Sequence, residues 1–308
     1  MKRLLVVALM LSAVSARADG FWFNGGVKGT VGTEEYRGTD WSAQIGVGKF
    51  SLKPMFSEFK STATADFKTY AIRGGFDTDL VGLGITAGGT PKIDGYSNEF
   101  VGADIVLSLT PGSGGPIKRI GSQQETSGGA RGEGLARVDI GGAVKHTFNR
   151  DNLQAKSASQ SGVRGAEVLS RTGAFNLGQN DVTGSIGVKL MGALLSADIT
   201  KSFYNADLTG NSIRALPGVR LAGLAAATQG LPDTNTAIRL ELGQMPLITP
   251  FISYVHTRYK VGQNDSNGLT AGLNVELSIL EVTASIEHLA QTGKADRNYV
   301  SLGANVRF

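Results

Sequence analysis

The side chains that most often do chemistry in proteins are sparse in this sequence. Its three histidines, His146, His256 and His288, are far apart, and the 308 residues include no cysteine. A zinc site of the metalloprotease or zinc-finger type therefore has no ligands at the spacing that it needs. The sequence contains no P-loop and no EF-hand pattern either. From residue types and spacing alone, we predict no bound metal or cofactor and no enzymatic activity.

The first residues have the three parts of a secretory signal peptide. Lys2-Arg3 is a charged start, Leu4–Val14 is a largely apolar stretch, and Ala16-Arg17-Ala18 is a small-x-small cleavage site. We therefore expect residues 1–18 to be removed and residues 19–308 to form the mature protein. Removal takes three basic residues away and leaves a nearly neutral chain. The charge then gives no indication of a nucleic-acid partner.

The elements that must position any functional side chain are short amphipathic strands. From residue 98 to 110 the apolar residues fall at almost every second position, and the same period recurs in residues 135–147, 268–277, 280–290 and 298–308. A period of two is that of a β-strand with one apolar and one polar face. After the signal segment, no window is long and apolar enough for a membrane-spanning helix.

Taken together, these features resemble Gram-negative outer-membrane β-barrel proteins of the porin type. The resemblance rests on the export signal, the serial amphipathic strands, abundant glycine, the lack of cysteine and a last strand that ends on Phe308, and it covers residues 19–308. It implies an all-β fold, a transmembrane antiparallel up-and-down β-barrel in the outer membrane. Its apolar face would meet lipid and its polar face would meet the lumen.

The same resemblance implies partners for the chain. In this family the barrel-assembly machinery recognises the last strand and its terminal aromatic residue, and the matching residues are Val300, Leu302, Val306 and Phe308. Outer-membrane lipid would surround the barrel and small hydrophilic solutes would enter it. A homotrimer is also compatible with the family.

The number of strands is predicted from the turns. Fifteen alternating segments are visible, but a barrel with both chain ends on one side needs an even number. A weak strand around Ile117 to Gln124 would give sixteen strands, whereas a single long strand over residues 181–204 would give fourteen. The apolar residues change phase near Gly192, which favours a turn there and therefore sixteen strands.

Three long connections are expected, near residues 111–132, 149–162 and 205–236. The last contains an apolar series that is unusual in a solvated loop. This connection either folds into the barrel and narrows it, or caps the barrel from outside. In the first case Arg214 and Arg220 would bring positive charge to the constriction.

Ionisable residues on the polar faces are the candidate pore lining. Eight basic and eight acidic residues fall there, so their total predicts only weak ion selectivity. A barrel of this size can hold an aqueous lumen, and we expect a porin-like channel for passive diffusion of small hydrophilic solutes and ions. The candidate pore-lining residues are Lys28, Arg73, Arg137, Asp139, Lys145, Lys189, Arg239, Glu241, His256 and Arg258.

Two other functions remain open from the sequence. Some outer-membrane barrels are hydrolases with a histidine site at the rim of the barrel, and His256 beside Arg258 could serve that role. A barrel can also act in adhesion, or as a structural surface, through its extracellular loops.

Overall fold

A computed structural model gives the arrangement of the strands. It describes residues 21–62, 64–78, 80–93, 95–109, 136–151, 175–205, 221, 223–228, 230–243, 245, 247–260 and 264–307. The predicted signal peptide, residues 1–18, lies outside the described residues. In the described part of the chain, no helix is long and apolar enough to cross a membrane.

Fourteen β-strands build the fold in the part of the chain that the structure describes. In chain order they are β1 (Phe21–Gly32), β2 (Tyr36–Val47), β3 (Phe50–Ser61), β4 (Thr64–Asp77), β5 (Val81–Ile93), β6 (Tyr96–Ser108), β7 (Ala136–Asp151), β8 (Phe175–Leu190), β9 (Ala193–Tyr204), β10 (Pro232–Leu242), β11 (Ile248–Tyr259), β12 (Ser266–Leu277), β13 (Leu280–Gln291) and β14 (Arg297–Arg307).

Each strand pairs antiparallel with the next one in the chain, and β1 pairs with β14 to close the sheet. The closing register runs from Asn24 opposite Arg307 to Gly32 opposite Tyr299. Closure leaves no open strand edge, which is what a lipid surrounding requires of a sheet. The predicted all-β up-and-down barrel is confirmed with the alternative count of fourteen strands, and the expected count of sixteen is wrong.

The error in the strand count arises in β8. Leu177 faces inward and is 1% exposed, whereas Val182 faces outward and is 48% exposed, so apolar residues occupy both phases of one continuous strand. The sequence pattern predicts two strands, over residues 164–177 and 181–190, where the structure has β8 alone; residues 164–174 lie outside the described residues. The turn after it is real, because Met191 and Gly192 both adopt positive φ values, 48° and 83°. Fourteen strands therefore do not come from one long strand over residues 181–204.

The connection between β6 and β7 also differs from expectation. The two strands pair directly, with Ser108 opposite Asp139, which leaves no place between them for a further strand. The stretch around Ile117 to Gln124, where that strand was expected, lies outside the described residues. The connection containing residues 111–132 starts and finishes at the terminal end of the barrel, where β1 begins and β14 ends.

The other two long connections join strands at the opposite end, called the distal end here. β7 continues to Asp151, and β10 begins at Pro232. The predicted loops 149–162 and 205–236 are therefore each partly strand. Tight turns join neighbouring strands at the terminal end, such as the one at Ser278 and Ile279 between β12 and β13.

The two faces of the barrel differ in polarity. Large apolar side chains are exposed on the outer face, such as Ile85 at 66%, Ile286 at 63% and Leu302 at 63%. Polar side chains such as Thr257 and Asn274 lie on the inner face and are almost completely buried. An apolar outer band around a polar interior is the pattern of a barrel surrounded by lipid.

Candidate functional site

Charged side chains lie on the inner face in oppositely charged pairs. Arg137 Nε donates to Asp139 Oδ2 at 2.8 Å, and Arg239 Nε donates to Glu241 Oε1 at 2.7 Å. The members of each pair are two positions apart on one strand, and the period of two places both on the same face. The guanidinium carbon of Arg239 also lies 3.7 Å from the centre of the Phe251 ring, a cation–π contact that orients the Arg239 side chain.

A deeply buried pair joins two strands that are not neighbours. Arg73 of β4 reaches across β5 to Asp104 of β6, with Nη2 to Oδ1 at 3.0 Å and Nε to Oδ2 at 3.2 Å. Gly84 of β5 lies under the crossing, and a Cβ atom there would overlap the Arg73 guanidinium. The absence of a side chain at this one position of β5 therefore makes the two-bond contact sterically possible.

Further inner pairs continue around the barrel. Lys145 Nζ lies 3.0 Å from Asp181 Oδ2, and Asp181 Oδ1 also accepts hydrogen bonds from Gln179 and Ser202. Near the terminal end, Arg307 pairs with Glu281. Most of the inner cations thus have a carboxylate partner in the wall itself.

Eight of the ten candidate pore-lining residues lie on the inner face, and two do not. The inner eight are Lys28, Arg73, Arg137, Asp139, Lys145, Lys189, Arg239 and Glu241. His256 and Arg258 alternate with the buried residues Val255 and Thr257 and therefore lie on the outer face. His256 Nδ1 shares a hydrogen bond with Asn267 Oδ1 at 2.8 Å.

The expectation that His256 and Arg258 line the pore is therefore wrong, and the sequence of β11 explains the error. Phe251 and Val255 face inward, while Ile252 faces outward, so both faces of this strand are partly apolar. The apolar phase of β11 consequently gives no unique inner face. With His256 on the outer face, the candidate rim site for hydrolysis has no histidine at the lumen from this strand.

The proposed assembly signal lies on the outer face of β14. Val300 is 54% exposed and Leu302 is 63% exposed, and Val306 follows the same alternation. Phe308 lies outside the described residues. The recognition of these residues by other proteins stays a prediction.

The inner face is apolar toward the distal end. An arc of rings runs from Tyr299 through Tyr36, Phe59 and Phe67 to Tyr96, with successive ring centres 5.2, 6.1, 5.3 and 6.0 Å apart. These five rings come from β14, β2, β3, β4 and β6. They belong to a buried cluster whose remaining members are Leu177, Leu221, Leu224, Ala226, Leu231, Ala237, Val255 and Leu289.

Four members of this cluster belong to the connection between β9 and β10. We call its described part, residues 221, 223–228, 230 and 231, the inner segment. The Ala225 amide donates to Glu287 Oε2 at 2.6 Å, and the Ala227 amide donates to the Tyr36 hydroxyl at 3.1 Å. Both partners are on the inner wall, so the inner segment lies inside the barrel. Arg214 and Arg220 lie outside the described residues.

Two glycines give the inner segment the room that it needs. Gly223 has a φ of +81°, and a Cβ atom there would lie 2.6 Å from Val255 Cγ2. Gly268 of β12 faces Leu224, and a Cβ atom there would lie 2.5 Å from Leu224 Cδ2. The positive φ of Gly223 favours glycine, and a Cβ at residue 268 would require Leu224 to move.

A small cavity lies between the inner segment and the wall toward the terminal end, with a volume of about 20 Å³, sufficient for about one water molecule. Its lining includes Lys28, Gly223, Ala225, Arg239, Ser285 and Glu287. Among the residues that the structure describes, no three histidine or acidic side chains are grouped to hold a metal ion.

The aromatic arc is the feature that the sequence reasoning missed. Tyr36, Phe59 and Phe67 occupy the phase that elsewhere on their strands carries polar or small residues, such as Gly38 and Ser57. Aromatic residues on the lumen-facing phase were the available signal for an apolar filling of the barrel.

No protein-family model and no curated protein matches the sequence. Solved structures match the fold. CdiB from Acinetobacter baumannii aligns over 94% of this chain and 60% of its own, with 11% identity and a TM-score of 0.50. The CymD monoaromatic hydrocarbon channel aligns over 94% and 88%, with 9% identity and a TM-score of 0.49. The NanC porin aligns over 92% and 100%, with 9% identity and a TM-score of 0.46. The chain thus spans about 60% of the length of CdiB. The likeness is one of fold alone, a closed antiparallel β-barrel.

Proposed function

We propose that this protein is an outer-membrane channel for the passive diffusion of small hydrophilic solutes and ions. The observation that carries the proposal is the charged inner face of a closed, fourteen-stranded barrel. Contact with lipid accounts for the apolar outer face. Burial of ionisable side chains inside the barrel costs free energy unless they have charged partners or water. Interior polar residues of membrane barrels accompany water-filled paths.

The pairing of the inner charges supports weak ion selectivity. Arg73, Arg137 and Arg239 each have a carboxylate within 3.0 Å. Such pairs present little net charge to a passing ion, so neither sign is strongly favoured.

The inner segment would make the channel narrow at its distal half. Its buried residues Leu224 and Ala226 belong to the same apolar cluster as Val255 and Tyr36 of the wall, and the Ala227 amide donates to the Tyr36 hydroxyl. A solute entering from the distal end would therefore meet the inner segment before the charged part of the lumen. We expect a low conductance for a barrel of this size.

The outer membrane is the location that suits an exported barrel, with its apolar face in lipid and its assembly signal at Val300, Leu302, Val306 and Phe308. Barrel-assembly machinery, outer-membrane lipid and a homotrimer are parts of this proposal. Cell fractionation tests the location, and recovery of the protein from the soluble periplasm would contradict it.

Planar-bilayer recording of the refolded protein, residues 19–308, tests the function. We expect discrete, ohmic conductance steps in potassium chloride, with a reversal potential close to zero across a salt gradient. Protein that is folded by gel mobility but gives no steps would contradict the channel and leave an adhesion or structural barrel.

A further inference from the structure

Consecutive backbone amides of the inner segment point at one carboxylate of the barrel wall. After the turn at Gly223, the Ala225 amide donates to Glu287 Oε2 at 2.6 Å, and the Ala226 amide also faces this carboxylate. The next amide, of Ala227, donates to the Tyr36 hydroxyl. Successive backbone N–H groups that converge in this way form an anion-binding nest.

The carboxylate in this nest is incompletely satisfied. Glu287 is only 3% exposed. Its Oε2 accepts the Ala225 amide and the Thr270 hydroxyl, the latter at 3.3 Å, while Oε1 is buried with no hydrogen-bond partner among the described residues. A buried charged oxygen without a partner is costly. Glu287 therefore differs from Asp104, both of whose oxygens accept a hydrogen bond from Arg73.

The surroundings of the nest suit a free carboxylate. Two basic side chains, Lys28 and Arg239, line the cavity beside Ala225 together with Glu287. Its hydroxyl-bearing side chains are those of Ser253, Thr270, Thr283, Ser285 and Ser301. A carboxylate of a solute could use the amides for one oxygen and these cations or hydroxyls for the other.

We propose that the amides of Ala225 and Ala226 are a binding site for small carboxylate solutes, and that Glu287 occupies it as a tethered substitute until a solute competes. The inference rests on the proposed channel function and deepens it by naming the solute class. Displacement of Glu287 breaks the hydrogen bond from the Ala225 amide that joins the inner segment to β13, which widens the path past Arg239. A carboxylate solute that displaces Glu287 therefore increases the conductance of the channel.

Acetate is the probe that tests this site, with chloride as the reference anion. In single-channel recordings at constant potassium concentration, we expect replacement of chloride by acetate to increase conductance beyond the ratio of their mobilities in bulk solution. The increase should saturate with acetate concentration, as competition for one site requires.

The variant Glu287→Gln distinguishes acetate binding at the amides of Ala225 and Ala226 from a non-specific effect of acetate on conductance. Loss of the charge weakens the hold on the inner segment, so the chloride conductance should rise, by up to about tenfold when a charge-assisted hydrogen bond is replaced by a neutral one. The acetate effect should disappear. Thr270→Val removes a hydroxyl donor to the same oxygen and should act in the same direction to a smaller degree. Glu281→Gln is the matched control, because it removes an inner charge six positions away on β13, about 20 Å along the strand.

The outcomes separate the two proposals. If the wild-type protein conducts chloride but acetate follows its bulk mobility, the carboxylate site is wrong and the channel stands. If Glu281→Gln alters the acetate effect as much as Glu287→Gln does, the nest at Ala225 is not its cause, and the inference is overturned. If neither the wild-type protein nor Glu287→Gln conducts in any salt, the channel function fails and the site fails with it.

Discussion

Removal of the carboxylate partner of Arg73 should destabilise the barrel strongly. Arg73 is 4% exposed and Asp104 is 11% exposed, and two N–H groups of Arg73 donate to the two oxygens of Asp104. Asp104→Asn keeps the shape of the side chain but leaves a buried guanidinium opposite a neutral amide. Because a buried charge without its partner is costly, Asp104→Asn destabilises the folded state and lowers the free energy of unfolding.

The magnitude follows from the surroundings of Arg73. Breaking one partner from a buried ion pair costs about 3–5 kcal/mol. Asp77 lies four positions along β4 on the same inner face and interacts electrostatically with Arg73, and Arg73 also donates to the Leu83 carbonyl at 3.4 Å. These remaining groups offset part of the loss, so we expect the lower end of the range, about 3 kcal/mol.

Urea unfolding of the barrel refolded into lipid vesicles measures this free energy. The chain has two tryptophans, and Trp41 is 48% exposed on the lipid-facing side, so its fluorescence reports transfer between lipid and water. The matched control is the double variant Arg73→Met with Asp104→Leu, which replaces the pair by apolar side chains. We expect it to be as stable as the wild type or more so.

A loss below about 1 kcal/mol in Asp104→Asn would refute the reasoning, because that is the scale of a solvent-exposed ion pair. It would mean that water reaches Arg73 and that the lumen is wide at this level. If the double variant were as unstable as Asp104→Asn, the loss would not come from an unpaired charge. The shape of the pair would then matter more than its charge.

Three further predictions address the outer face, the inner segment and the long connection. Val144→Arg, at an exposed apolar position in the middle of β7, should lower the free energy of unfolding by about 2–4 kcal/mol in the same urea titration. Asn176→Arg, at the distal end of β8, should lower it by about 0–1 kcal/mol. Equal losses would mean that the membrane-spanning band is misplaced. Gly223→Ala should raise chloride conductance, because the new methyl group meets Val255 and the backbone has a φ of +81°. Gly48→Ala, with a φ of +57° but open space around it, should leave conductance unchanged, and a rise in both variants would point to general instability. Arg214→Glu with Arg220→Glu should shift the reversal potential toward cations at low ionic strength; an unchanged potential would place these two arginines away from the pore.

The barrel could be predicted from sequence because lipid and lumen impose opposite polarities on alternate residues. This constraint holds well in β6, where Ile105 and Leu107 face outward while Asp104 faces inward. It also places Arg137, Asp139, Arg239 and Glu241 correctly, because each lies on a strand segment whose opposite face is clearly apolar. What alternation cannot provide is a contact between distant strands, such as Arg73 with Asp104, since that depends on Gly84 lying beneath it.

Alternation fails at particular places, and these share a physical cause. In β8, Leu177 breaks the phase, and in β11 Val255 does so. Both side chains are buried in the cluster that includes Leu224 of the inner segment. A strand of a membrane barrel needs an apolar outer face for lipid, but it needs an apolar inner face only where something apolar fills the lumen. In β8 and β11, Leu177 and Val255 therefore indicate the level at which the inner segment fills the lumen. Val255, which helped to mislead the assignment of His256, thus also marks the depth of the constriction.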